Sequence, residues 1–418
     1  MWLTRFRELS LALRVLFLAS FVNRAGMFVF PLLAVYLVRA KGLSLAEVGL
    51  LISLGSTGLL VGSLLSGPFC DLCGRRQALL LALLLNAAGY LGLATLDVPP
   101  WAFVALLFVA LVGMGMFGPA SNTLIADLTT TGQRPFAYTV SYIGNNLGTG
   151  IGPLLGGVAA AYSYHVMFVG NIVAGLLCAA LIAVWIPADS RRGAGRKGRK
   201  GSKKPREKVR YGTLGHGHVV ALVLVSFFYI VPLNGLEYAL PLAVTTVLGE
   251  PTGLIGVIYA INSVAVVSFG LLIEKRLPAY RTKVLLIVAG LLWALGLSVL
   301  TFALSLPVML LSILVWTLGE VIVSVVVPTY IADHVDERRV GSFMALNGFV
   351  LALSRLVVPA GLGFIWQSHG VGRVFFTLLV TSMVGLAVFA LLRIRTAGHA
   401  ASGRPTASSA HTRASPVS

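Results

Sequence analysis

Acidic residues are scarce in this chain. Asp and Glu number 14 in 418 positions, and only 11% of all residues are charged. A soluble chain carries about a quarter of its residues as charge, so a water-soluble globular protein is excluded. Cysteine is scarcer still, at three. Cys70 and Cys73 have the spacing of a redox or zinc pair. No second pair follows, and we read them as ordinary loop cysteines, with no metal site. No G-x-x-x-x-G-K-[ST] run occurs, which leaves no phosphate cradle for ATP-driven pumping and no cofactor to expect. The polar residues inside apolar stretches offer no histidine pair and no nucleophile beside a base. That argues against a membrane-embedded enzyme. No filter-like segment is repeated, which disfavours a channel.

What the chain has is apolar residues, at 57%. They fall into twelve runs, roughly 10–38, 43–67, 76–96, 100–126, 135–162, 164–187, 216–248, 253–273, 282–304, 307–332, 340–366 and 372–392. Each is long enough to cross a ~30 Å hydrocarbon core as a helix. A β-barrel is excluded, because its strands alternate in polarity over ~10 residues. The first run is too long for a removable signal peptide and lacks a small-residue cleavage pattern.

The net charge of +18 resembles a nucleic-acid signature until its placement is considered. With the N-terminus inside, Arg5, Arg7, Arg75, Arg76, Arg134, Lys275, Arg276, Arg281, Lys283, Arg338 and Arg339 all fall on the cytoplasmic side. The outer loops keep only Arg39, Lys41 and Arg373. This is the positive-inside asymmetry, and it predicts both termini in the cytoplasm of a multi-pass protein of the bacterial inner membrane. The basic surface then faces lipid headgroups, and no nucleic-acid partner is expected.

The runs divide six and six. We expect an N-terminal six-helix bundle over 1–187 and a C-terminal one over 216–394. Between them, 188–215 holds eleven Lys/Arg with Gly and Ser, a flexible basic cytosolic linker. The tail, 395–418, is rich in Ala, Ser, Thr and Pro and reads as disordered. The halves also echo each other. At an offset of 206, Ile125–Asp127 recurs as Ile331–Asp333, Gly113 as Gly319, Pro153 as Pro359 and Gly157 as Gly363; at 203, Gly67 recurs as Gly270 and Asp71 as Glu274. Parallel repeats around a central cavity are a recognised transporter plan.

Two motifs carry a family resemblance. The loop "GPFCDLCGRR" over 67–76 is similar to the signature loop of the major facilitator superfamily. Gly67, Asp71, Gly74, Arg75 and Arg76 fit it, while Leu72 stands where that family usually has a basic residue. The resemblance implies that Asp71 faces the start of the eleventh segment near Gly341 and that Arg75 pairs with Asp127. Together they would form a cytosolic latch of the outward-open state. Charges at helix ends are stabilised by the helix dipole and by arginine bridges. The plainer reading is a charged turn obeying the positive-inside rule.

The second motif is "GNNLGTGIGPLLGG", 144–157, inside the fifth segment. Gly148, Gly152, Pro153, Gly156 and Gly157 resemble the antiporter motif of the drug/proton branch of that superfamily, which is associated with export. The plainer reading is a small-residue packing face. The fourth segment, over 106–122, lacks the arginine that drug exporters often place there.

Four charges fall near the middle of predicted helices: Arg24, Glu237, Glu320 and Arg355. Each costs on the order of 3 kcal/mol at a helix centre, so each should face a water-filled cavity or another charge. The resemblance puts segments 1, 4, 7 and 10 around the cavity. Aligning "FPLLAV" at 30–35 with "LPLAV" at 240–244 leaves Arg24 and Glu237 one helical turn apart, ~4.5 Å along the axis. That register predicts an Arg24–Glu237 pair across the cavity. A purely structural alternative adds a Glu320–Arg355 pair. Glu237 and Glu320 are the acids deep enough to carry a proton, and Asn23, Asn122, Asn145, Asn146, Asn234, Tyr238, Trp293 and Trp316 could add hydrogen bonds or stacking.

These readings converge on an all-α integral membrane protein, twelve transmembrane helices in two pseudo-symmetric bundles. We expect a monomeric secondary transporter that exports small organic molecules, such as a drug, metabolite or siderophore, by proton antiport, and so a link to multidrug resistance. The alternative on the same fold is a proton-coupled uptake symporter for a small organic anion held by Arg24.

Overall fold

The computed structural model describes residues 6–130, 133–187, 217–273, 280–335 and 337–392, except for the side chains at 134, 135, 142, 271–273, 332, 333, 337–342 and 345. The linker, the C-terminal tail and the loop residues Glu274, Lys275 and Arg276 lie outside them.

The described residues are almost wholly helical. In chain order the helices are α1 (Leu11–Ala25), α2 (Val29–Arg39), α3 (Leu45–Cys73), α4 (Arg75–Thr95), α5 (Pro100–Leu128), α6 (Arg134–Tyr162) and α7 (Tyr164–Trp185). After the linker come α8 (Gly217–Val225), α9 (Phe227–Leu242) with a π turn over Ala243–Val247, α10 (Gly253–Ile273), α11 (Thr282–Phe302), α12 (Leu306–His334), α13 (Glu337–His369) and α14 (Val371–Leu391). Eleven spans among the described residues are long and apolar enough to cross a membrane, with α1–α2 forming one and α8–α9 with the π turn another. The twelfth long helix is α6, whose 29 residues include the glycine motif.

Local chemistry sets the helix ends. Ser44 caps α3 in a reciprocal capping box with Glu47. Gly74 joins α3 to α4 at φ 94°, a left-handed value that favours glycine. Prolines interrupt six of the helices, at 68, 119, 153, 232, 241, 328 and 359. Such interruptions are tolerated in a bilayer where neighbouring helices or hydroxyl side chains satisfy the freed backbone groups.

The helices sort into two groups. In the first, α5 packs on α3 and α4, α4 on α7, and α1 on α6 and α7. In the second, α11 packs on α12 and α14, and α9 on α13 and α14. The main seams between groups are α3 with α13 and α6 with α10. The 206-residue repeat maps α3 onto α10 and α6 onto α13, so the seams are symmetry mates.

Among the described residues, the close contacts between the groups lie toward one end. Toward the Lys41 end, a Cβ added at Gly49 would lie 2.2 Å from the Pro359 carbonyl, and one at Gly157 would lie 3.0 Å from the Gly256 nitrogen. Ala360 N–H donates to Ser53 Oγ at 3.0 Å, Ala46 N–H to Gln367 Oε1 at 2.9 Å, and Arg39 to the Thr245 carbonyl. Toward the Arg75 end, Gly67, Gly144, Gly270 and Gly348 have no described atom within 4 Å of an added Cβ. Among the described residues, no comparable close approach joins the two groups toward the Arg75 end.

Candidate functional site

The first span is not one helix. It breaks at Gly26–Phe28, where Asn171 of α7 accepts from the Phe28 and Val29 N–H groups at 3.2 and 3.4 Å. Asn171 stands in for the carbonyls that a continuous helix would provide. The glycine motif of α6 lies directly against this break. An added Cβ would meet Arg24 Cβ at 2.5 Å from Gly148, the Arg24 carbonyl at 2.7 Å from Gly152, and Phe28 at 3.0 Å from Gly156. Gly157 faces α10, and from the other side Gly256 faces the Pro153 carbonyl and Leu154. One helix of small residues thus seats both the broken span and the opposite group, with Pro153 inside the contact.

The expected Arg24–Glu237 pair does not form. Arg355 of α13 takes Glu237 instead, with Nη2 3.1 Å from Oε2 and 3.4 Å from Oε1, while its Nε donates to Asn234 Oδ1 at 3.4 Å. The Arg355 guanidinium also lies 5.4 Å from the Phe30 ring centroid. The reason is twofold. Glu237 sits on α9, which packs on α13, and the break between Arg24 and Pro31 defeats turn counting through a continuous helix. Arg24 packs on α6, and its Nη1 donates to Met27 Sδ at 3.4 Å.

Glu320 does not pair with Arg355 either. Its Oε2 is buried and has no hydrogen-bond partner among the described residues. It lines a central cavity of about 290 Å3 together with Asn234, Glu237, Tyr259, Trp316 and Arg355. Thr149 reaches the same cavity from the first group. The remaining wall is largely Leu, Ile, Val and Pro. Beside Glu320 on this wall, Asn262 Nδ2 donates to Thr317 Oγ1 at 2.7 Å.

Several residues expected in the cavity lie elsewhere. Asn23 lines a small pocket within the first group, with Met27, Asn86 and Asn171. Asn122 is exposed near the end of α5, where its carbonyl accepts from Tyr138. Tyr238 is 5% exposed and donates to the Leu45 carbonyl at 3.0 Å, which makes it a clasp of the α3–α13 seam. Trp293 stacks on Trp316 with ring centroids 5.1 Å apart. Asn145 and Asn146 lie on α6 outside the central cavity. The sequence reading missed Asn171, Tyr259 and Asn262. Single Asn and Tyr residues in apolar runs were the available signal.

At the Arg75 end, Arg75 Nε lies 2.7 Å from Asp127 Oδ2, and its Nη1 donates to the Cys70 carbonyl at 3.2 Å. Arg76 reaches the Ala183 carbonyl rather than an acid. Asp71 is exposed in the last turn of α3, where the dipole of its own helix opposes it. The facing residue Gly341 and the repeat's Asp333 are outside the described side chains. Cys70 and Cys73, expected in a loop, lie instead in the last turn of α3, Cys178 lies in α7, and no disulfide joins any of the three.

Residues 16–359 match the profile of the Major Facilitator Superfamily. The chain is 28% identical over 378 residues to the multidrug resistance protein MdtH of Edwardsiella ictaluri (strain 93-146), covering 87% of this chain and 89% of that one. It is 23% identical over 384 residues to a Na(+), Li(+), K(+)/H(+) antiporter of Planococcus maritimus, covering 83% and 88%. The crystal structure of the nucleoside transporter NupG superposes with a TM-score of 0.75 at 12% identity, over 92% of this chain and all of that one. With a profile match spanning most of its length and this helical plan, the chain is a transport protein and belongs to the major facilitator superfamily.

Proposed function

We propose that this transporter exports small organic molecules in exchange for protons, with the Arg75 end in the cytosol and Glu320 as the proton site. The orientation rests on the clustering of Lys and Arg at that end. The observation that carries the chemistry is the buried, unbonded Oε2 of Glu320 on the central cavity wall. An ionised carboxylate with no cation beside it is costly away from bulk water. It is relieved either by a proton or by a donor or positive group on the cargo, and the two exclude one another. Mutual exclusion at one site is what antiport requires. Glu237 is less suited, because Arg355 already compensates its charge. The similarity to a multidrug resistance protein and to a cation/proton antiporter supports the direction and the coupling.

The same reading makes the Asp71 loop a cytosolic latch. With the groups parted at the Arg75 end, Asp71 is exposed and the latch is undone. Closure of that end would bring it to α13.

The test begins with a cargo found by comparing metabolites of a deletion strain and its medium with wild type. In everted vesicles, cargo accumulation should require an imposed proton gradient. Glu320→Gln should abolish that accumulation and leave cargo–cargo exchange intact. Gradient-driven accumulation that survives in Glu320→Gln overturns the assignment. The rival, proton-coupled uptake of an organic anion, draws on Arg24, which has no acidic partner among the described residues. Cargo depleted from the medium by wild type but not by the deletion strain would establish the rival.

A further inference from the structure

We propose that Glu320 exchanges its proton with the Arg75-end solution through a second cavity, inside the C-terminal helix group and apart from the central cavity that receives cargo. This rests on the proton role proposed for Glu320.

The second cavity measures about 260 Å3. Its polar lining is Ser226, Tyr229, Trp293, Glu320, Ser324 and Asn347. Among the described residues, its wall comes from the C-terminal group, whereas the central cavity draws Thr149 from the other group. The two cavities share Leu233, Glu320 and Leu351. Along α12 they lie on opposite sides of Glu320. Ile313 and Trp316 face the central cavity, and Val323, Ser324, Val327 and Pro328 face the second, toward the Arg75 end. The stacked indoles of Trp316 and Trp293 contribute one ring to each cavity, so they stand as a partition beside the carboxyl.

The polar groups of the second cavity suit water rather than a bulky ligand. Trp293 Nε1 and Glu320 Oε2 are a buried donor and a buried acceptor without partners among the described residues. The hydroxyls of Ser226, Tyr229 and Ser324 already donate to the carbonyls of Val223, Leu286 and Val321. Each therefore presents lone pairs inward as acceptors. Unsatisfied polar atoms around a space of this size are the condition for ordered water. Glu320 is the only charged residue on this wall among the described residues. The other groups near it, the Asn262–Thr317 pair and the Glu237–Arg355 pair, belong to the central side. Cargo entering the central cavity would thus leave the displaced proton an exit, and the proton need not leave past the incoming cargo.

The experiment uses the full chain in lipid nanodiscs without cargo. The infrared band of the protonated Glu320 carboxyl is assigned by its loss in Glu320→Gln, and its shift is timed after transfer to heavy water. Ser324→Leu and Asn347→Leu each fill and dry the second cavity. Each should slow the shift about tenfold, or ~1.4 kcal/mol on the barrier. Ile258→Phe, which narrows the central cavity, should leave the rate unchanged. Unchanged exchange in both filling variants, or equal slowing by Ile258→Phe, overturns the separate route and leaves the proton site standing. Absence at every pH of a band that Glu320→Gln removes overturns the proton site itself.

Discussion

Arg355 donates to both carboxylate oxygens of Glu237 across the α9–α13 contact, at 3.1 and 3.4 Å. The two side chains are 25% and 29% exposed, so water in the cavity shares the work of solvating them. Removing either partner leaves an uncompensated charge, which costs ~3–5 kcal/mol when fully buried and less where water reaches. We expect Arg355→Ala or Glu237→Gln to destabilise by roughly 1–3 kcal/mol. The double variant Arg355→Met, Glu237→Gln should recover most of that. Thermal unfolding in detergent measures the cycle. Additive losses in the double variant would show that the pair does not act as a unit.

Asn171 accepts from both the Phe28 and the Val29 N–H groups at the break in the first span. Asn171→Ala would leave the buried Val29 N–H without its acceptor, at about 1–3 kcal/mol, while the Phe28 N–H keeps the Gly26 carbonyl at 2.8 Å. The expected result is a lower thermal midpoint and looser packing around Arg24. An unchanged midpoint would mean that the break is held by the glycine face of α6 alone.

The twelve segments were legible because a bilayer asks for about twenty apolar residues in a row, and the chain supplies them. The twofold plan was legible in repeated glycines and prolines. The break at Gly26–Phe28 was not, since its residues are apolar and the acceptor that permits it is Asn171, 143 residues away in sequence for Phe28. The partner of Glu237 was not legible for a similar reason. Four charges on four segments can pair in several ways, and the choice belongs to helix adjacency. That left Glu320 as the unpaired acid, which no spacing rule could single out.

The seam glycines separate the two ends of the molecule. Gly49→Ala would drive a Cβ to within 2.2 Å of the Pro359 carbonyl, whereas Gly144→Ala meets nothing within 4 Å. The first should prise open the Lys41 end and shift the population toward the alternate state. The second should be silent in this conformation. Labelling of a cysteine introduced at Gln367, whose side chain accepts from Ala46, reports the outcome. Faster labelling in Gly49→Ala than in Gly144→Ala is expected, and equal rates would refute the tight seam.

The Lys41–Asp97 pair, 2.7 Å apart, lies in loops outside the spanning helices. Lys41 holds the Asp97 carboxyl below its usual range through their hydrogen bond, and Asp97 raises the Lys41 ammonium by the same bond. Stability from the lowered acid is present above its unfolded pKa and is lost as pH falls through the folded value. Stability from the raised base is present below its unfolded pKa and is lost as pH rises through the folded value. The contribution is therefore intact at neutral pH. Asp97 is 95% exposed at its side chain, so screening leaves it small. Asp97→Asn should leave the thermal midpoint at neutral pH nearly unchanged. A large drop would identify the pair as a structural clasp of the Lys41 end.

Arg75 and Asp127 belong to α4 and α5 of one helix group, and their contact of 2.7 Å exists while the Arg75 end is open. A bond already made in this state cannot be the element that closes it. Asp127→Asn should therefore lower stability, by about 1–2 kcal/mol for a charge-assisted bond, without favouring either state. Asp71 is the opposite case. It is exposed here, so Asp71→Asn should leave the thermal midpoint of this conformation unchanged. If Asp71 is the latch proposed above, removing its charge should raise the share of molecules open at the Arg75 end. Labelling of a cysteine placed at Gly348, which has open space beside it, reads that share. A population shift in Asp127→Asn with none in Asp71→Asn would reverse these roles and make the ion pair the switch.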